Sequence, residues 1–190
     1  MTAEAGYRGP FEGRVIDAET RQPIQGAVVF VEWLSGTPTP AGRIDEFYDA
    51  TEVLTDEQGY FRIEKKGSWN PWTNWMLKAT GLIYKAGYGA VTNLGAPSAI
   101  RRRAEIQKSR SSEERRKMGP NWFHDIEFEN GLPVFLLKRL TTAEDRRKNL
   151  GIAPIFAPPE AMRRLIEEQN REARALGMEN AILPVPALQE

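Results

Sequence analysis

The chain has 190 residues, no cysteine, and equal numbers of basic and acidic side chains, 26 of each. The missing cysteines exclude disulfides, thiolate zinc sites, iron–sulfur clusters and thiol catalysis. The zero balance gives no global pull toward nucleic acid or anionic membrane. The length suits one domain with additions and a core that needs no staples. No apolar run is long enough to span a bilayer. The start, MTAEAGYRGP, lacks the basic and apolar regions of a signal peptide, so we expect either a cytosolic chain or a trimmed exported one.

Residues 1–9 read as an N-terminal arm. FEGRVID, from Phe11 to Asp17, alternates loosely, and turn chemistry follows around Pro23 and Gly26. AVVFVEWL, from Ala27 to Leu34, reads as a central strand buried on both faces. Ser35 to Gly42 is a loop by its Pro and Gly content. EFYDATEVLT and GYFRIEK flank DEQG, which signals a hairpin, with Phe61 and Ile63 turned inward. WMLKATGLIYKAGYGAV reads as two short strands with glycine breaks. From Ala99 to Gly119 an insertion has almost no apolar face, and Arg101 to Lys117 carries eight basic residues against three acidic. Asn130-Gly131 predicts a type I′ hairpin between two further strands. Thr141 and Glu144 have capping-box spacing, with Gly151 as a stop. A second helix follows Pro159, with Met162, Leu165, Ile166, Ala173 and Leu176 as its apolar stripe and Gly177 at its end. The tail after it is broken by prolines and must be extended.

Three motifs occur in order: FEGRVIDAETRQPIQGAVVFVEW, TDEQGYFRI and LIYKAGYGAV. Together they resemble the carboxypeptidase regulatory-like domains over roughly residues 10–91, closing with VFLLKRL. The resemblance implies a prealbumin-like, Ig-like β-sandwich of roughly seven strands. It also implies an exported module of the bacterial envelope or exterior, here without the zinc domain that gives the family its name. The motif residues also have structural roles: Gly26 and Gly59 for turns, Asp56 for capping its own turn, Phe61 for the core.

The chemistry is sparse. His124 is the only histidine, and its neighbour Asp125 in a strand would point to the opposite face. We expect a partly exposed strand-end residue and not a catalytic base. No nucleophile elbow, phosphate-binding glycine loop or calcium-loop spacing is present. We therefore assign no catalytic, cofactor or metal residue. Two low-specificity sites remain. Trp69, Trp72 and Trp75 are spaced by three, and an aligned set can stack on sugar rings or cover the core. Arg101, Arg102 and Arg103, with Met162, Leu165 and Ile166, are candidates for assembly. The basic insertion of one copy can meet the six acids between Ile44 and Glu57 of another, a heterologous contact that builds rings or filaments.

The expectation is a mainly β chain: a sandwich over 10–140 with an insertion at about 99–119, and a helical extension with an extended tail over 141–190. It acts by binding or assembly in the periplasm or outside the cell. Its partner is a protein or a second copy; the alternative is a polysaccharide bound by the tryptophans. Nucleic acid is not expected, because the basic stretch has no interleaved aromatics.

Overall fold

The computed structural model describes residues 7–40, 42–66, 77–117, 124–152, 154 and 156–186. Among these residues eight strands form two four-stranded sheets: β1 Phe11–Asp17, β2 Val28–Thr39, β3 Gly42–Leu54, β4 Tyr60–Ile63, β5 Leu77–Tyr84, β6 Val91–Leu94, β7 Asp125–Glu129 and β8 Leu132–Leu137. The first sheet has the order β4-β1-β8-β7 and the second β3-β2-β5-β6. Pairing is antiparallel except between β1 and β8, which run parallel with Val15 opposite Phe135. Phe11, Val15, Phe61, Ile63, Phe135 and Leu137 of the first sheet share one core cluster with Val29, Val31, Trp33 and Ile83 of the second. This is the arrangement of a β-sandwich.

Alternation explains the packing. Along β2, Val29, Val31 and Trp33 enter the core between the sheets, while Val28 and Phe30 belong to a second cluster on the outer face. Burying both faces requires a cover, and the C-terminal extension supplies it. Leu165, Ala157 and partly buried Ile152 and Met162 pack in or against that outer cluster. The extension consists of α3 Ala143–Lys148, a 3-10 turn at Pro159–Met162, α4 Arg163–Ala175 and a second 3-10 turn at Glu179–Ala181. Between β6 and β7 the chain forms α1 Pro97–Lys108 and α2 Ser112–Lys117.

Several sequence expectations change. DEQG does not turn a hairpin, because β3 and β4 belong to different sheets; it is a corner. Thr55 holds that corner, donating to Ile24 O at 2.6 Å and accepting from Ala27 N at 2.8 Å. Ser35 to Gly42 is largely strand: β2 and β3 stay paired to Thr39 opposite Gly42, beyond the end of β5 at Leu77. Past Ser35, β2 has lost its β5 neighbour, so a proline there breaks no ladder on that side. Gly81 is not a break but lies inside β5, where a Cβ would stand 2.5 Å from Phe30 O. The basic insertion has an apolar side after all, since Ile100 and Ala104 of α1 join the core between the sheets. The cap of α3 is Thr142 with Asp145, one residue beyond the pair expected.

The Asn130-Gly131 turn has φ values of 51° and 85°, and it joins β7 to β8 as the sequence predicts. Gly151 and Gly177 both have positive φ after their helices.

Candidate functional site

The three motifs meet at one end of the sandwich. Gly59, at φ 80°, sits so close to β1 that a Cβ would lie 2.4 Å from Val15 O. Asp56 Oδ1 accepts from Gln58 N and Tyr60 N, which caps the corner from within. Lys85 Nζ donates to Gly26 O at 3.0 Å, and Tyr88 Oη donates to Asp17 Oδ2 at 2.8 Å. Val15 N donates to Gly59 O at 2.8 Å, so each motif bonds to another, and the side chains of Asp17, Asp56, Lys85 and Tyr88 are engaged in holding the fold.

Asp17 is the hub. It is buried, and its Oδ1 accepts from Glu19 N and Thr20 N at 2.9 Å each. Its Oδ2 accepts from Tyr88 and from Arg139 Nε at 2.7 Å. Burial opposes its charge, but the donors outweigh burial and hold the carboxyl well below its usual range. The Tyr88 hydroxyl is pushed up to about 12 by burial and by its bond to Asp17.

Beside this hub opens a cleft of about 1110 Å³. Ser112 and Arg115 of α2 and the start of β7 at His124 and Asp125 form one side. Lys138, Arg139 and Thr141, after β8, form the second, and Asp145, Lys148 and Asn149 of α3 and its end form the third. Asn149 fixes α3 to the β5–β6 loop by taking Ala90 N at 2.9 Å and giving Nδ2 to Tyr88 O at 3.0 Å.

His124 is not the partly exposed residue expected. It is 1% exposed, and its Nδ1 accepts from Lys138 N at 3.2 Å. Burial, aided by the charges of Arg103 and Lys138, holds it down to about 4, so it is neutral at physiological pH. Asp125 does not orient it. That carboxylate pairs instead with Arg115 and, at 3.5 Å, with Lys138. Among the described residues no group of three or more histidines and carboxylates is placed to hold a metal ion. No helix there is long and apolar enough to cross a membrane.

The residues singled out from the sequence are scattered. Trp69, Trp72 and Trp75 lie outside the described residues. Arg101 and Arg102 are exposed on α1, with Arg101 stacked 4.5 Å over the Phe128 ring. Arg103 turns inward and donates Nη1 to Thr92 O at 3.1 Å. Leu165 and Ile166 are buried within their own chain, and Met162 is partly buried. The acids of β3 are mostly engaged at home: Asp45 with Arg43 and Lys78, Asp49 with Lys66, Glu52 with the start of α4. The cleft itself was not apparent in the sequence. Its walls come from segments more than a hundred residues apart, and its best sequence signal was the basic pair Lys138-Arg139 ending the last strand.

No family model matches the chain, and no curated protein matches it.

Proposed function

We propose that the protein is a non-catalytic β-sandwich module that acts by binding, with the cleft between α2, the end of β8 and α3 as its binding site. The observation that carries this is that three acid–base groups in or beside the cleft are committed to the fold. Asp17, His124 and Asp125 are each fixed to structural partners, so none is poised as a base next to a nucleophile. What remains is a large concave surface with charged and amide side chains at its rim, the features of a ligand site. The prealbumin-like assignment and an address in the bacterial envelope or exterior rest on the interlocked motifs and on the resemblance they carry.

The test is an NMR screen of isotope-labelled protein against glycans, peptides and small charged metabolites. The reading expects cleft amides, such as those of Ala90, Lys138 and Asn149, to shift with at least one class and no ligand to be turned over. A panel that moves only amides elsewhere, or a ligand chemically converted at the cleft, would overturn it.

One observation favours self-association as a second reading. β3 is an edge strand of 13 residues, and it exposes Ile44, Tyr48 and Leu54. A long edge with exposed apolar side chains is a template for strand pairing between copies. Light scattering that shows one monomeric species, unchanged by Tyr48→Lys, would exclude it.

A further inference from the structure

The outer face of the β3-β2-β5-β6 sheet carries a carboxylate beneath its cover. Glu32 follows Phe30 on that face of β2, with Thr80 and Leu82 of β5 opposite them. Glu32 is 3% exposed. Its carboxyl accepts from the backbone N–H groups of Phe156 and Ala157, which ties the approach to the first 3-10 turn onto the sheet. Its Oε2 is buried with no hydrogen-bond partner among the described residues. Lys78 favours the charge, but its ammonium pairs with Asp45. Burial outweighs these influences and raises the carboxyl above its ordinary value. A buried acceptor left unbonded is costly. Glu32 also lines a pocket of about 140 Å³ between the sheet and the chain at Ile152 and Pro154. That is several times the ~15 Å³ that one water needs. Glu32 is the one charged side chain among the described residues that line it. Phe30, Leu82, Ile152 and Pro154 make the lining apolar, and Thr80 and Asn93 add acceptor oxygens.

We propose that this pocket binds an aliphatic primary ammonium group, with Glu32 Oε2 as its anchor. A carboxylate penalised by burial gains most from a cation. One unbonded oxygen does not suit the two-pronged guanidinium, and no histidine or second carboxylate among the described lining residues is there to share a metal ion. An ammonium on a short methylene stem meets both the carboxylate and the apolar lining. Because Oε2 is closed to solvent, the wall at Ile152 and Pro154 yields as the group enters. The pocket shares Thr92 and Ile152 with the larger cleft, and its anchor lies outside that cleft's lining.

The experiment is an NMR titration with n-propylammonium chloride, against sodium chloride at equal ionic strength and against 1-propanol, a neutral molecule of the same size. The amides of Phe30, Glu32, Leu82 and Ile152 are expected to shift with propylammonium and not with sodium. Binding of 1-propanol is expected to be weaker by about tenfold, the loss of one charge-assisted bond. Glu32→Gln keeps an oxygen for Phe156 and Ala157 but removes the charge. It is expected to weaken propylammonium binding about tenfold and to keep its circular dichroism. Glu64→Gln, exposed just after β4, is expected to change it by less than about twofold. Nα-acetyl-lysine amide carries the same group on a peptide: tighter binding than propylammonium assigns a lysine side chain as the source, weaker binding a free amine. Equal responses to sodium and propylammonium, equal binding of 1-propanol, or undiminished binding in Glu32→Gln would overturn the proposal and leave a pocket filled by water. Shifts confined to Lys138 and Asn149 would place the amine in the larger cleft and also overturn it. If Glu32→Gln unfolds, the comparison with 1-propanol in the unaltered protein decides alone.

Discussion

The two faces of the β3-β2-β5-β6 sheet are covered by different chemistry. The inner face meets the other sheet through Val29, Val31, Trp33 and Ile83, an apolar layer. The outer face meets α4, which buries Glu168, Gln169, Asn170 and Glu172 along with Leu165, Ile166 and Ala173. Each of those polar groups has a specific partner. Arg146 grips Glu172 with two bonds of 2.7 Å, and Gln169 Nε2 reaches Ile152 O. Asn170 holds Leu183 through both its amide atoms, and Glu168 accepts from Ala86 N. From the sheet, Glu52 accepts from Arg164 N and Leu165 N, which caps the start of α4 with a carboxylate. The inner core gains from shape and apolar area, whereas the outer cover depends on a fixed set of bonds.

The largest expected effect tests the inner side. Phe61 packs against Phe135 across Gly13, whose missing Cβ leaves room for both rings. Phe61→Ala is expected to cost about 4 kcal/mol in denaturant melts, transfer plus cavity. On the outer side, Arg146→Ala leaves the buried Glu172 carboxylate without its guanidinium. The expected cost is about 3 kcal/mol. Arg146→Leu combined with Glu172→Leu is expected to recover most of it, because the pair itself adds little over apolar packing. If the double variant is as unstable as the single one, α4 is held by something other than this pair.

The third prediction concerns pH. The folded His124 value is near 4, below the ordinary 6.5 that the unfolded chain restores. The unfolded state therefore takes up the proton first. Stability is fully present above pH 6.5 and falls as the pH drops toward 4, by up to roughly 3 kcal/mol. Urea melts of His124→Gln are expected to show a flatter profile over that interval. The smallest effect belongs to the cap. Glu52→Ala is expected to cost about 1–2 kcal/mol and to raise amide exchange in the first turn of α4.

Much of the inner side was legible in the sequence. Alternation in β4, the Asn130-Gly131 turn and the roles of Asp56 and Gly59 follow from local rules that the structure obeys. The corner at DEQG was misread because a hairpin and a sheet-to-sheet corner share the same turn residues. What separates them is Thr55, whose bonds to the Ile24–Ala27 loop span some thirty residues. The outer cover was half legible. Leu165, Ile166 and Ala173 showed in the stripe of α4, while its buried polar positions did not, because pattern rules place such residues in water. Arg103 was hidden for the same reason, among neighbours on α1 that do face solvent. The cleft depends on tertiary placement of α2, β8 and α3, which no local signal encodes.

The most direct measurement is the chemical-shift screen of isotope-labelled protein against glycans, peptides and small charged metabolites. The account predicts that the amides of Ala90, Lys138 and Asn149, which the cleft brings together, shift as one group with at least one class of ligand. Shifts confined to residues away from the cleft with every class would contradict it.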